Sequence, residues 1–152
     1  MKKVAAGILF TDGKKILLLK RSADSSEAGT WGIPGGGVKK NESQIQNAIR
    51  EVKEETGLSS IPGKQVAVHQ FQDSSVHFTT FIFKIDKPFT AHMSKEHTSY
   101  EWVPLNKLSG KNLHPKFKKN LEQYLGSIRR KVRDFKEWII LTTLLESLRK
   151  NP

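Results

Sequence analysis

The chain has no cysteine among its 152 residues. Disulfide bonds are therefore excluded, and so are zinc sites built on thiolates. No apolar run approaches the ~20 residues that a helix needs to span a bilayer. The apolar stretch from Val4 to Phe10 is short, and a polar Asp12-Gly13 turn follows it instead of a signal-peptide cleavage site. These absences favour a soluble, cytoplasmic protein of one globular domain.

Acidic residues are also scarce, and they are unevenly placed. The chain carries 26 Lys plus Arg against 15 Asp plus Glu, a formal net charge of +11. Such an excess attracts polyanions in general, whether nucleotides, nucleic acids or acidic membrane surfaces. Four of the carboxylates nevertheless lie close together: Glu42, Glu51, Glu54 and Glu55. A basic chain that concentrates carboxylates in one place indicates a cation site there.

The hydrophobic pattern predicts strands and helices in mixed order. Val4 to Phe10 and Lys15 to Lys20 predict a hairpin. Ser43 to Thr56 predicts the clearest helix, because Ser43 and Gln46 form a capping box and Gly57 supplies a stop. Further strands are predicted at residues 65–71, 76–85 and 100–103, and further helices at 113–125 and 128–148.

Three glutamates share one side of the predicted helix. Glu51, Glu54 and Glu55 stand at positions i, i+3 and i+4. Like charges at this spacing repel each other, and a hard cation such as Mg²⁺ neutralises them with oxygen ligands. Taken alone, the three glutamates fit a solvated acidic helix face better than a metal site. The wider spacing of the surrounding residues reverses that preference.

A longer motif surrounds these glutamates. Its members are Gly36, Glu42, Arg50, Glu51, Val52, Glu54, Glu55, Gly57 and Leu58. The spacing resembles the Nudix box and matches it at every fixed position, and a chance match at a given start has a probability on the order of 10⁻⁸. The resemblance covers about residues 3 to 125, including Trp31 to Gly36 and Glu101 to Leu105, and leaves the helix from Ile128 on unexplained.

The resemblance implies a fold and an activity. The fold is a Nudix-type α/β/α sandwich with a mixed β-sheet and an additional C-terminal helix. Residues 1–126 form the hydrolase domain, and residues 127–152 form a helical extension packed on the same domain. The implied reaction is Mg²⁺-dependent hydrolysis of a nucleoside diphosphate linked to another moiety, with Mn²⁺ able to substitute, by water attack at phosphorus. The alternative is a catalytically silent nucleotide- or RNA-binding Nudix module.

The family resemblance also assigns roles to the motif. The implied metal ligands are Glu51, Glu54, Glu55 and the carbonyl of Gly35. The implied catalytic residues are Glu51, Glu54, Arg50 and the loop residue Glu96. The implied structural support comes from Gly36, Glu42 and Gly57. In this scheme Glu51 also matches a base in some members, and the Arg50–Glu42 pair positions the glutamates because a guanidinium fork holds carboxylates in one geometry.

Many Nudix enzymes use one further acidic residue, on a loop shortly before a Trp-containing strand. Glu96 lies in the polar loop before Trp102, whereas Glu101 adjoins that tryptophan within the strand. A loop reaches over a metal site more easily than a strand residue does, so Glu96 is preferred. A solvated loop charge is the alternative for Glu96.

The substrate is not identified by the sequence. Signatures of the ADP-ribose, dinucleoside polyphosphate, coenzyme A and NADH hydrolases are missing. A nucleoside triphosphate (including an oxidised one), a nucleotide sugar and a dinucleotide all remain open, and no substrate-binding residue is assigned. The five histidines show no metal-ligand spacing and are expected to be ordinary strand, loop or helix residues: His69, His77, His92, His97 and His114.

A basic region follows the last predicted strand. It comprises Lys111, Lys116, Lys118, Lys119, Arg129, Arg130, Lys131 and Arg133. A solvated helix face explains it as well as attraction of polyphosphate or RNA does, and no RNA-binding motif with interleaved aromatics accompanies it. The apolar stripe of the last helix packs on the domain or forms a dimer, so we expect a monomer or a homodimer and no membrane partner.

Overall fold

A computed structural model describes residues 2–150 of the chain, which form a mixed sheet with helices on both sides. The strands are β1 (Lys3–Thr11), β2 (Lys15–Arg21), β3 (Trp31–Gly32), β4 (Gly35–Gly37), β5 (Lys64–Gln72), β6 (Val76–Lys84) and β7 (His97–Pro104). The α-helices are α1 (Gln44–Thr56), α2 (Pro115–Lys131) and α3 (Phe135–Lys150), and a 3₁₀ helix spans Leu105–Gly110.

The predicted hairpin forms, but its strands soon separate. Asp12 accepts hydrogen bonds from the amides of Lys14 and Lys15, both at 2.8 Å, and Thr11 pairs with Ile16 across the turn. Beyond that pair, β1 runs parallel to β6 and antiparallel to β4, whereas β2 pairs antiparallel with β7 and β3. The first strand therefore connects the glycine segment to the rest of the sheet.

The core has one layer on each side of the sheet. Alternating residues of β1 point in opposite directions, so Leu9 packs toward α2 and α3 while Ile8 packs toward α1. In β2, Leu18 and Leu19 divide in the same way. Strands that are covered on both faces have continuous apolar runs, which explains the buried run from Ala5 to Phe10. The expected α/β/α sandwich is confirmed.

Helix α1 begins and ends where the sequence predicts. The Ser43 hydroxyl accepts from the Gln46 amide at 3.2 Å, and the Gln46 side chain accepts from the Ser43 amide at 2.9 Å. Gly57 takes φ +75° and donates its amide to the Lys53 carbonyl. Because a left-handed residue cannot continue the helix, Gly57 fixes the end of the segment that carries the glutamates.

The predicted break between the last two helices is wrong. The sequence pattern predicts it near residues 126–127, but α2 continues through Gly126 to Lys131 because Ile128 is 2% exposed and extends the buried face of the helix. The chain breaks instead after Val132, where Asp134 accepts from the amides that open α3. The division of the chain at 126/127 stays a prediction. Among residues 2–150, no helix is both long and apolar enough to cross a membrane.

Candidate active site

Strand β4 lies directly against the acidic face of α1. A Cβ added to Gly36 would lie 2.6 Å from Cδ of Glu51, so a larger residue there would displace that carboxylate. The Gly35 amide donates to Oε1 of Glu55 at 2.7 Å, and the Asn47 side chain donates to the Gly36 carbonyl at 2.8 Å. These contacts hold the helix and the glycine strand at a fixed separation.

Arg50 connects the carboxylates of the motif. Its Nε and Nη2 donate to the two oxygens of Glu42 at 2.7 and 3.1 Å. Its Nη1 donates to Glu51 at 3.0 Å and to Glu54 at 3.2 Å. The hydrogen bonds from Arg50 lower the pKa of Glu42 to about 2. The guanidinium therefore sets the orientation of the carboxylates and offsets part of their mutual repulsion.

The three helix glutamates have different surroundings. The side chain of Glu54 is 54% exposed, whereas that of Glu51 is 14% exposed and Glu55 is 3% exposed. Burial raises the pKa of Glu51, and it raises the pKa of Glu55 to about 9 even though the Gly35 amide opposes the shift. Buried carboxylates are oxygen donors that fit a divalent cation.

Glu96 lies near Glu55, and Glu101 has another partner. Donor atoms of Glu55, Glu96 and His97 all lie within 4.8 Å of one another. The Glu96 carbonyl accepts from the Ser22 amide at 3.0 Å, which ties this loop to the end of β2. The carboxylate of Glu101 instead accepts from Lys111 Nζ at 2.6 Å. This geometry supports Glu96 as the acidic residue outside the box.

His97 was missed by the sequence reasoning. It is 8% exposed, and its Nδ1 lies 3.3 Å from Oε2 of Glu55. The register of β7 against β2 shifts so that Arg21 is paired with His97. The spacing of residues in the sequence does not predict this arrangement. Burial, assisted by the positive charge of Arg21, lowers the pKa of His97 to about 4. The ring is therefore neutral at neutral pH.

A cavity of about 360 Å³ opens beside these residues. Gly35, Gly36 and His97 form part of its wall. Its cationic lining consists of Lys3, Arg21 and Lys116, and its aromatic lining consists of Phe71, Phe78, Phe117 and Tyr124. Asn120 also lines it, is 5% exposed, and has its Oδ1 3.2 Å from Nε2 of His69. Aromatic faces with a few fixed polar groups and cations suit a phosphorylated, ring-containing ligand.

A family model described as the NUDIX domain matches residues 1–125. The chain belongs to the Nudix family. Its Nudix box runs from β4 through α1, the two elements that bring the carboxylates together.

Two curated relatives are similar to this chain in sequence. The chain is 47% identical over 70 residues to a CTP pyrophosphohydrolase of Escherichia coli K12, a match covering 46% of this chain and 51% of that relative. It is 32% identical over 124 residues to a putative 8-oxo-dGTP diphosphatase 3 of Mycobacterium tuberculosis H37Rv, with coverages of 74% and 57%. The chain thus spans little more than half the length of these relatives.

The structural similarity extends over most of the chain. A MutT protein from Methanosarcina mazei Go1 superposes with a TM-score of 0.66 and 29% identity, covering 88% of this chain and 96% of that one. The Nudix fold expected from the box is therefore confirmed.

Proposed function

We propose that this Nudix protein is a divalent-metal-dependent hydrolase of nucleoside triphosphates, releasing a nucleoside monophosphate and diphosphate. The observation that carries the proposal is the convergence of Glu55 and Glu96 beside a cavity with cationic and aromatic walls. The names of the relatives, which are pyrophosphohydrolases and diphosphatases of nucleoside triphosphates, support the same substrate class.

The metal site proposed from the box comprises Glu51, Glu54, Glu55 and the Gly35 carbonyl. A bound Mg²⁺ or Mn²⁺ supplies neutralisation of phosphate charge and a water of lowered pKa. Arg50 contributes by orienting Glu51 and Glu54, which it contacts directly. Glycine at position 36 contributes by leaving space for the carboxylate of Glu51.

The reaction is a substitution at phosphorus. A water oxygen forms a bond to phosphorus, the phosphoanhydride bond breaks, and the leaving diphosphate keeps the bridging electrons. The proton of the attacking water passes to a carboxylate, for which Glu96 and Glu51 are the candidates. Both are placed near Glu55, since the charges of Glu51 and Glu96 each raise its pKa.

The cavity suggests how the substrate lies. Phe71 and Phe78 line the cavity and are candidates to pack against a nucleobase. Lys3 and Arg21 line the same cavity as Gly35 and Gly36, and their positive charges attract phosphate oxygens. We expect the phosphates near β4 and the base toward α2.

The decisive experiment is a hydrolysis screen of nucleoside triphosphates, including CTP and 8-oxo-dGTP, with Mg²⁺ or Mn²⁺. Diphosphate release is measured with a coupling diphosphatase and compared with direct phosphate release. Turnover that yields diphosphate supports the proposal. Nucleotide binding without turnover of any substrate would favour the catalytically silent module instead.

Replacing Glu54 by glutamine tests the metal dependence. Glutamine keeps size and helix propensity, so the fold should survive, but a neutral amide is a poorer ligand for a hard cation. We expect at least ~10²-fold lower turnover, because the metal contributes several kcal/mol and each 1.36 kcal/mol is tenfold in rate. Raised Mg²⁺ should restore part of it.

The matched control for Glu54→Gln is Glu146→Gln, an exposed glutamate on α3. The control should keep both turnover and melting temperature. Wild-type turnover of Glu54→Gln at low Mg²⁺ would remove Glu54 from the site.

A further inference from the structure

One buried nitrogen faces the carboxylate cluster without a hydrogen-bond partner. Among residues 2–150, Nδ1 of His97 accepts or donates no hydrogen bond, although the side chain is only 5% exposed. Leaving such a group unpaired in the interior costs free energy. An unpaired donor atom next to buried carboxylates therefore requires an explanation.

The separation of His97 from Glu55 matches that of two ligands sharing one cation. Nδ1 lies 3.3 Å from Oε2 of Glu55, yet the two atoms do not meet hydrogen-bond geometry. Two donors about 2.1 Å from one metal lie about 3.0 to 3.4 Å apart at octahedral or tetrahedral angles. A carboxylate oxygen of Glu96 lies within 4.8 Å of the donor atoms of Glu55 and His97. The other oxygen of Glu55 accepts a hydrogen bond from the Gly35 amide.

The geometry points to a mixed nitrogen–oxygen subsite for a divalent transition metal, formed by Glu55, Glu96 and Nδ1 of His97. The box supplies only oxygen ligands, whereas His97 adds an imidazole. The affinity of a site that includes an imidazole rises from Mn²⁺ to Co²⁺ along the first-row divalent metals, whereas Mg²⁺ strongly prefers oxygen ligands. His97 would thus shift the metal preference of this site away from Mg²⁺. This inference rests on the proposed metal dependence of the Nudix site.

The first test is spectroscopic and uses the wild-type protein. Mn²⁺ is added to the full chain, and pulsed electron paramagnetic resonance records nitrogen couplings to the bound ion. A directly bound imidazole gives a ¹⁴N coupling that becomes a ¹⁵N coupling when histidine is labelled. Because no substitution is involved, the result does not depend on a variant folding.

The second test compares His97→Gln with His92→Gln, the latter an exposed histidine in the loop before β7. We expect His97→Gln to lose the nitrogen coupling and to bind Mn²⁺ and Co²⁺ ~10-fold or more weakly, the range typical of losing a group that supports a metal site. Mg²⁺ affinity, measured by competition with Mn²⁺, should change less. His92→Gln should match the wild type in every measurement.

The outcomes distinguish a failure of the His97 inference from a failure of the proposed metal dependence. Bound Mn²⁺ without a histidine nitrogen coupling would overturn the His97 inference and leave the proposed function standing. A wild-type protein that binds no divalent cation would overturn the metal dependence itself. Equal weakening of Mn²⁺ and Mg²⁺ binding in His97→Gln, without loss of nitrogen coupling, would assign His97 to orienting Glu55 and contradict direct ligation.

Discussion

The side chains of neighbouring glutamates in the box have different surroundings. Glu54 is exposed and touches Arg50, while Glu55 is buried and touches the Gly35 amide. A helix advances about 100° per residue, so adjacent side chains point in different directions. In the protein without metal, Arg50 contacts Glu54 and Glu51, whereas the charge of Arg21 offsets only part of the cost of burying Glu55. Glu54 and Glu55 are adjacent in the motif, but their carboxylates therefore lie in different electrostatic environments.

This difference predicts how the stability of the metal-free protein depends on pH. Burial raises the pKa of Glu55 from 4.5 to about 9, so the folded protein binds a proton that the unfolded chain has lost. Stability should then fall as pH rises toward 9. His97, whose pKa is lowered from 6.5 to about 4, acts in the opposite direction only below pH 6.5. The clean window is therefore pH 6.5 to 9.

Thermal melting in the presence of a chelator measures this effect. We expect the melting temperature to decrease between pH 6.5 and 9, and the decrease to be smaller in Glu55→Gln, which cannot ionise. Added Mg²⁺ or Mn²⁺ should also reduce it, because a bound cation favours the ionised carboxylate. A melting temperature that rises across this window would contradict the burial of a protonated Glu55.

A second prediction compares the effects of substituting Glu96 and Glu101 on hydrolysis. Glu96→Gln should slow single-turnover hydrolysis by ~10²-fold or more, the usual contribution of a positioned base. Glu101→Gln should have little effect on hydrolysis, because its partner is Lys111 and not the carboxylate cluster. If only the Glu101 variant were slow, the preference for Glu96 would be wrong.

At the scale of elements, the close approach of β4 to its two neighbours controls the site. A Cβ at Gly35 would lie 2.5 Å from the Ala6 carbonyl oxygen of β1, which is backbone and cannot move aside. A Cβ at Gly36 would meet the end of the Glu51 side chain, which is flexible. The two glycines are adjacent but face different elements, since successive strand residues point to opposite faces.

Alanine substitutions should separate these two roles. Gly35→Ala should destabilise the fold by about 1–3 kcal/mol, the usual cost of overpacking, and lower the melting temperature. Gly36→Ala should melt near the wild-type temperature but lose turnover, because the Glu51 carboxylate is displaced. Calorimetry measures the melting temperature of both variants, and the diphosphate-release assay measures their turnover. Equal loss of stability in both variants would contradict this assignment.

At the scale of the whole molecule, α3 is part of the core on the side of the sheet opposite α1. Leu141 is 0% exposed and Leu145 is 1% exposed, and both belong to the same cluster as Leu9. The helix also leaves Phe135 and Ile140 exposed, at 72% and 45%. Residues beyond the matched family region thus bury apolar surface against the Nudix domain.

Leu141→Ala should therefore destabilise the entire protein by about 2–5 kcal/mol, as truncations of buried leucine do. Ile140→Ala, its exposed neighbour, should change stability by less than about 0.5 kcal/mol. Chemical denaturation monitored at the sheet and at the helices gives both values. A Leu141 variant that unfolds only α3, leaving the sheet transition unchanged, would make the extension independent of the domain.

The sequence by itself determined the features that depend on local spacing. The box, the capping box at Ser43 and the stop at Gly57 all act over one or two helical turns, so residue order is sufficient to identify them. The Asp12-Gly13 turn is equally local. The family and the sandwich fold followed from these signals.

The tertiary structure alone decided the rest. The inward placement of His97 depends on the register shift of β7 against β2, and the salt bridge of Glu101 depends on where Lys111 lies. The burial of Glu55 depends on the approach of β4, and the run of α2 through Gly126 depends on the core available to Ile128. Each of these is set by packing between segments distant in the chain, which residue spacing does not encode.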